Sequence, residues 1–359
     1  MIKKVMAAMS GGVDSSVCAA LLKMQGFEVT GATMKLFSPP ADKLTEKSCC
    51  TADDAFDAKS VCFSMGIPHY VFNFTDEFDR SVIKNFTSSY LNGRTPNPCI
   101  ECNRILKFDK LLRRAKEIGI EKIATGHYAI IEEKDSRFLL KKAKDTKKDQ
   151  TYVLYTLTQK QLSCTLFPLG GLTKPEVREI AAKNGFVNAH KHESQDICFV
   201  PDGDYAAFIR EYENLTPKAG DFINTAGEIL GRHSGIINYT IGQRKGLGIT
   251  FGKPMYVTRI DAQNNTVTLG ESQALFSQKV ILTDINLITC EELKTPRSFK
   301  AKTRYNQTEQ PCKVSQTAEN EIEVLFDEPQ RAVTPGQACV IYDGDYVVGG
   351  GRIMGQRNN

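Results

Sequence analysis

The chain has 359 residues, 41% of them hydrophobic and 25% charged, with a formal net charge of +4. This is the composition of an ordinary soluble globular protein with on the order of two or three domains. No apolar run is long enough for a membrane helix, and so mild a charge leaves room for a basic patch without demonstrating nucleic-acid binding. The 11 cysteines are scattered rather than framed as in a small secreted scaffold, which points to thiols in a reducing compartment. Met1-Ile2-Lys3-Lys4 opens like a signal peptide, but the apolar run after it breaks at Ser10-Gly11-Gly12 and Asp14. A cytoplasmic protein is expected.

Residues 5–9 read as a buried first strand. The run Ser10-Gly11-Gly12-Val13-Asp14-Ser15-Ser16 follows, then a helical pattern that stops at Gly26. Strand, glycine turn and helix N-terminus in that order make an anion site. Glycine lets the backbone approach a ligand, and the first helical N–H groups are unpaired. A Walker loop would close on Gly-Lys-Ser/Thr, and this one has no lysine. Residues 28–34 predict a second strand. Thr51 and Asp54 predict a capping box for a helix that ends at Gly66. A third strand is expected at 68–72, helices at 76–91 and 108–118, and a further strand from Lys122 into Ala124-Thr125-Gly126-His127-Tyr128. Thr173 and Glu176 predict another capping box, for a helix ending at Gly185. This alternation predicts a doubly wound parallel sheet with its ligand at the strand C-terminal ends.

Beyond about residue 213 helical periodicity fades. Residues 255–260 and 266–269 read as short strands between turns, an internal boundary falls near 272–279, and 346–353 reads as a last strand with a glycine bend. The expected organisation is a nucleotide-binding domain at 1–212, a β-rich domain at 213–275 and a β-barrel at 276–359.

Two further constellations carry sulfur. One is Asn97-Pro98-Cys99-Ile100-Glu101-Cys102-Asn103-Arg104, and the other is Ser194-Gln195-Asp196-Ile197-Cys198-Phe199. Only the fold can bring Cys102 and Cys198 together. The glycine loop resembles that of the PP-loop ATP pyrophosphatases. The loop, the N-P-x-x-x-C-N segment, A-T-G-H-Y, Lys148-Asp149-Gln150 and S-x-x-I-C-F occur in one order. Together they resemble the tRNA-specific 2-thiouridylases, the MnmA family, over the whole chain.

The resemblance implies ATP-dependent 2-thiolation of a wobble uridine in tRNA. Cys198 would carry a persulfide and Cys102 would be its partner nucleophile. ATP with Mg²⁺ would sit on Ala8, Met9, Ser10, Gly11, Gly12, Val13, Asp14 and Ser15, with Met34 against the adenine and Gly126 allowing close backbone approach. Asp14 is expected to cap the helix and support the phosphates rather than to hold Mg²⁺. His127 is expected to be structural rather than a general base. Asn97, Pro98, Cys99, Lys148, Asp149, Gln150, Arg304 and Tyr305 would meet the tRNA. The partners implied are tRNA and a persulfide donor, acting with a monomer.

Cys99 departs from the family pattern, which has an Asp there. It creates Cys99-x-x-Cys102 and, with Cys198, raises a minority reading of an iron–sulfur cluster held by three thiolates. Three rival readings stay open at this point. One is a small-metabolite synthetase on the same loop, which gives Cys102 and Cys198 no task. Another is a non-catalytic RNA-binding protein. The third is a 4-thiouridine synthetase, for whose extra N-terminal region this chain leaves no room before the loop.

Overall fold

Residues 5–7 of β1 (Lys4–Ala8) are fully buried, and the strand pairs in parallel on both sides. The computed structural model describes residues 3–37, 52–189, 191, 197–250 and 252–354. These divide into two units, one of residues 1–82, 99–203 and 345–347, the other of 83–98, 204–344 and 348–359.

In the first unit β1 is followed by α1 (Val13–Met24), β2 (Glu28–Lys35), α2 (Ala52–Ser64), β3 (His69–Asn73), α3 (Thr75–Phe78), β4 (Lys122–Ala124), β5 (Ile130–Lys134), β6 (Arg137–Lys141) and β7 (Thr165–Leu166). The parallel sheet has the order β3-β2-β1-β4-β7. Val17, Cys18 and Leu22 of α1, Val61 and Cys62 of α2, and Val177 and Ala181 of the helix Lys174–Lys183 share one apolar core with Val5, Ala7 and Val29. Each such aliphatic side chain contributes roughly 1.5–3 kcal/mol by leaving water. The chain leaves β1 between β2 and β4, so strand order reverses at the end that carries the glycine loop. A ligand crevice forms at such a point.

The predicted strands and the Thr173 capping box are present. Glu176 Oε2 accepts from the Thr173 N–H at 2.6 Å and from its hydroxyl at 2.8 Å. The expected Thr51 box lies outside the described residues. Two features depart from the sequence reading. The helix predicted at 108–118 begins ten residues earlier: Pro98–Glu101 leads into a π-helical stretch, Cys102–Lys110, and then into Leu111–Glu117. A five-residue hydrogen-bond spacing destroys the 3.6-residue apolar period that reveals a helix. The β5–β6 hairpin was not anticipated. Its turn places Asp135 and Ser136 at φ 50° and 61°, a left-handed pair usually announced by glycine.

The second unit is β-rich, as expected. A four-stranded sheet of order β10-β11-β8-β9 uses β8 (Gly220–Ile223), β9 (Ile229–His233), β10 (Tyr256–Asp261) and β11 (Thr266–Gly270) around Phe222, Val257, Val267 and Leu269. The remaining strands are β12 (Phe276–Leu287), β13 (Arg297–Lys302), β14 (Gln310–Ala318), β15 (Glu321–Arg331), β16 (Ala338–Asp343) and β17 (Tyr346–Ile353). They run β12-β15-β14-β13-β16-β17, and β12 pairs with β17 to close a six-stranded barrel. Alternating Val280/Leu282, Cys312/Val314 and Ile322/Val324/Phe326 fill its interior. At the seam a Cβ on Gly349 would lie 2.3 Å from the Asn286 carbonyl oxygen, so the glycine bend read from sequence is where the barrel closes.

Candidate active site

The glycine loop is shaped first by local bonding. The Ser10 N–H donates to Ser15 Oγ at 3.2 Å, and Ser15 Oγ donates to the Gly12 carbonyl at 2.8 Å. Gly11 sits at φ 74°, and a Cβ there would lie 2.5 Å from the Asp54 carbonyl oxygen. Gly12 stands at the N-cap of α1 and has no side chain to bond the helix amides. That end offers donors and positive dipole to an anion. Ala8 and Met9 bring the strand into the loop. Met9 and Val13 are buried beneath it, whereas Ser10 is exposed. Met34, buried near the end of β2, has Phe72 as its register partner. Because β1 and β4 are neighbours, Gly126 lies against the loop: a Cβ there would be 2.8 Å from the Asp14 carbonyl carbon.

Asp14 does not cap the helix as expected. Its Oδ1 accepts from Lys174 Nζ at 2.7 Å and from the Tyr128 hydroxyl at 2.9 Å. Lys174 is 7% exposed and lies 5.9 Å from the centre of the Tyr128 ring. Gln150 holds Tyr128 in turn: its Oε1 accepts from the Tyr128 N–H at 2.9 Å, and its own N–H donates to the Tyr128 carbonyl at 2.9 Å. Asn188 clamps the loop from the far side, donating through Nδ2 to the Gly11 carbonyl and to Ser16 Oγ, each at 2.9 Å. Lys191 pairs with Asp54 at 2.8 Å and Asp57 at 2.6 Å on α2. Lys174, Asn188, Lys191 and Asp54 were missed in the sequence. Nothing local marks a lysine beside a helix-start proline as buried.

Cys99 is exposed, while Cys102 and Cys198 are half-buried. Burial pushes the Cys102 thiol up to about 11, with a smaller upward push from Cys99; Lys107, on the same π-helical stretch, pulls it down. Phe199, next to Cys198, packs edge-on against Phe78 at 5.6 Å, and α3, which ends at Phe78, packs on the Cys102–Lys110 stretch. The two cysteine segments therefore share α3 as a neighbour. Asn103 is 2% exposed and donates to the Val153 carbonyl at 3.1 Å, while its Oδ1 has no partner among the described residues. Ser194, Gln195 and Asp196 lie outside the described residues. The other buried thiols, Cys18, Cys62, Cys312 and Cys339, are all pushed upward, mainly by burial. Among the described residues no three Cys, His or acidic side chains converge on a metal position, so the cluster reading finds no cradle.

His127 is buried between Phe108 and Phe167, with a ring nitrogen 2.6 Å from the Thr125 hydroxyl. Burial, and then Lys107, hold its pKa well below the usual imidazole value. It is a neutral packing residue in this setting. Asp149 accepts from the Thr151 N–H and hydroxyl, an Asx turn that starts the helical turn at Thr151. In the basic run 141–148, Lys141 pairs with Glu132 and Lys144 with Glu176, each at 2.9 Å.

The remaining expected RNA contacts belong to the second unit. The stretch before Asn97 and Pro98 is pinned there: Gln337 Nε2 donates to the Thr95 carbonyl at 3.0 Å, and the Thr95 N–H to that of Pro335 at 2.9 Å. Arg304 donates to the Ala332 carbonyl at 2.7 Å and lies 3.1 Å from Thr334 Oγ1. Tyr305, 37% exposed, has the Lys302 ammonium 5.9 Å from its ring centre. Arg304 therefore braces the loop on which Tyr305 is displayed. No helix among the described residues is long and apolar enough to cross a membrane.

Residues 3–202 match the family described as tRNA methyl transferase HUP domain, 206–271 its PRC-barrel domain, and 277–353 an aminomethyltransferase beta-barrel domain. The chain is 53% identical over 357 residues to the tRNA-specific 2-thiouridylase MnmA of Acetivibrio thermocellus, covering 98% of this chain and 99% of that one. It is 50% identical over 355 residues to the enzyme of the same name from Clostridioides difficile, covering 98% of each.

Proposed function

The chain belongs to the tRNA-specific 2-thiouridylase family, and on that premise we propose that it uses ATP to replace the C2 oxygen of the wobble uridine (position 34) of tRNA with sulfur. The observation that carries the reading is the placement, in one unit, of an uncapped glycine loop and two cysteine segments that share α3. A metabolite synthetase needs the first and has no use for the second. The domain label speaks of methyl transfer, but two cysteine segments in the unit that carries the anion loop suit activation followed by sulfur delivery.

The chemistry follows from leaving groups. Oxide is a very poor one, so the uridine O2 first attacks the α-phosphate of ATP. Pyrophosphate departs against the loop amides. The adenylated carbon then accepts the terminal sulfur of a Cys198 persulfide, and AMP leaves with the original oxygen. Cys102, as thiolate, attacks the Cys198 sulfur of the remaining S–S bond. The outer sulfur stays on the base and the two cysteines become a disulfide. An external dithiol reduces that disulfide before the next turnover. Mg²⁺ would arrive with the triphosphate. Asp14 is the acidic side chain in the loop and is already engaged by Lys174 and Tyr128, so the ion would keep phosphate and water ligands.

A uridine in an anticodon loop can be splayed out and read on its edges, and the activated base must be kept from water. Tyr305 and the 148–150 segment are the tRNA contacts in this reading, with Cys99 at the target base. The sulfur donor is a persulfide-bearing protein, and the enzyme works as a monomer. Reconstitution with ATP, a persulfide donor and unmodified tRNA tests the proposal by nucleoside mass spectrometry. The expected products are 2-thiouridine and tRNA-dependent pyrophosphate release. Pyrophosphate release driven by a small metabolite without RNA would overturn it.

A further inference from the structure

The loop that is to receive a polyphosphate carries its own negative charge. Asp14 lies in the first turn of α1, beside the helix amides that an anion would use. Left alone, a carboxylate there repels a phosphate chain through a poorly screened medium. Lys174 meets that carboxylate at 2.7 Å, and its burial removes the screening that weakens surface pairs.

The position of Lys174 is itself fixed from several directions. Its N–H donates to Asp145 Oδ2 at 2.9 Å, the Thr173–Glu176 box starts its helix, and Pro175 follows it. The Tyr128 hydroxyl holds the same Asp14 oxygen from a second direction, at 2.9 Å. A buried charge pair costs desolvation and is a poor way to gain stability. Its location inside the loop supplies a reason for keeping it.

We propose that Lys174 is a positioning residue of the ATP site: its ammonium cancels the Asp14 charge, so that the triphosphate meets amides and hydroxyls rather than a carboxylate. The inference rests on the ATP-dependent reading above. It assigns Lys174 to the binding of nucleotide rather than to sulfur transfer, and it makes the Asp14 charge, not its shape, the thing that must be neutralised.

The test is equilibrium binding of α,β-methylene ATP by wild type, Lys174→Met, Lys174→Arg and the double variant Asp14→Asn/Lys174→Met. Thermal melting and affinity for unmodified tRNA are measured beside it. Lys174→Met should weaken the analogue about tenfold or more, and the double variant should return to within about threefold of wild type. Lys174→Arg should stay close to wild type, and tRNA affinity should not move. Wild-type affinity in Lys174→Met, or a double variant as weak as the single, would overturn the proposal. If Lys174→Met does not fold, the double variant, which leaves no unpaired carboxylate, decides alone: near-wild-type binding supports the idea and lost binding defeats it. Failure of the wild type to bind the analogue would instead remove the ATP reading.

Discussion

The parallel sheet of the first unit and the closed barrel of the second solve the same problem differently. The barrel pairs β12 with β17, so its outermost strands have no unpaired edge, and its core is aliphatic and aromatic apart from Cys312 and Cys339. The parallel sheet stays open at its strand ends, and charges withdrawn from solvent collect there: buried Lys174 and Asp54, with the half-buried Asp14. Closure gives the barrel rigidity and leaves nothing reactive inside. The open sheet accepts desolvated charge and an uncapped helix, and so keeps a place where an anion can be handled.

The sharpest way to break this contrast is at sulfur. Cys198→Ser should lower 2-thiouridine formation by about 10³-fold or more, a loss of the size seen when a covalent nucleophile is removed. Pyrophosphate release with tRNA should survive. Cys102→Ser should stall as a mixed disulfide between Cys198 and the thiolated base, visible as a reducible protein–tRNA adduct on a non-reducing gel. A variant that thiolates normally would move the chemistry away from the open sheet.

Glycine substitutions come next. Gly11→Ala puts a methyl group 2.5 Å from the Asp54 backbone at φ 74°, and should cost about 3 kcal/mol or more in denaturant unfolding and abolish analogue binding. Gly344→Ala, at φ 57° with nothing within 4 Å, should cost only about 1 kcal/mol and leave binding intact. Ile322→Ala in the barrel interior should destabilise by about 2–5 kcal/mol with unchanged nucleotide affinity.

Titration gives a smaller effect. The folded pKa of His127 lies well below its unfolded value, so the unfolded chain takes up the proton first. Stability is therefore lost as pH falls below about 6.5. Urea midpoints between pH 7.5 and 5.5 should show the loss, and His127→Gln should reduce it. His69 and His233 shift in the same direction and account for a remainder. For RNA binding, Tyr305→Ala should weaken tRNA affinity by about 1–3 kcal/mol if one base stacks on it, measured by filter binding at fixed salt.

The parallel sheet was legible because its strands are short apolar runs divided by glycines, each a local signal. The loop was legible as a motif with a physical function. Lys174 was not, since burial of a lysine is decided by Asp14 and Tyr128, distant in the chain. The early start of the Cys102 helix was hidden by a π-helical spacing, and the β5–β6 turn by Asp135 and Ser136 in a conformation their side chains disguise. Asp14 was misread as a cap because the sequence shows the helix start but not the lysine that claims its carboxylate.

The buried thiols have one more consequence. In the proposed reaction a donor of labile sulfur would meet a chain rich in cysteine, and indiscriminate loading would waste each delivery. Cys18, Cys62, Cys312 and Cys339 are kept protonated by their surroundings and so are poor acceptors at neutral pH. On the proposed reading, fidelity of delivery would be written partly into thiols whose silence leaves the incoming atom few places to land.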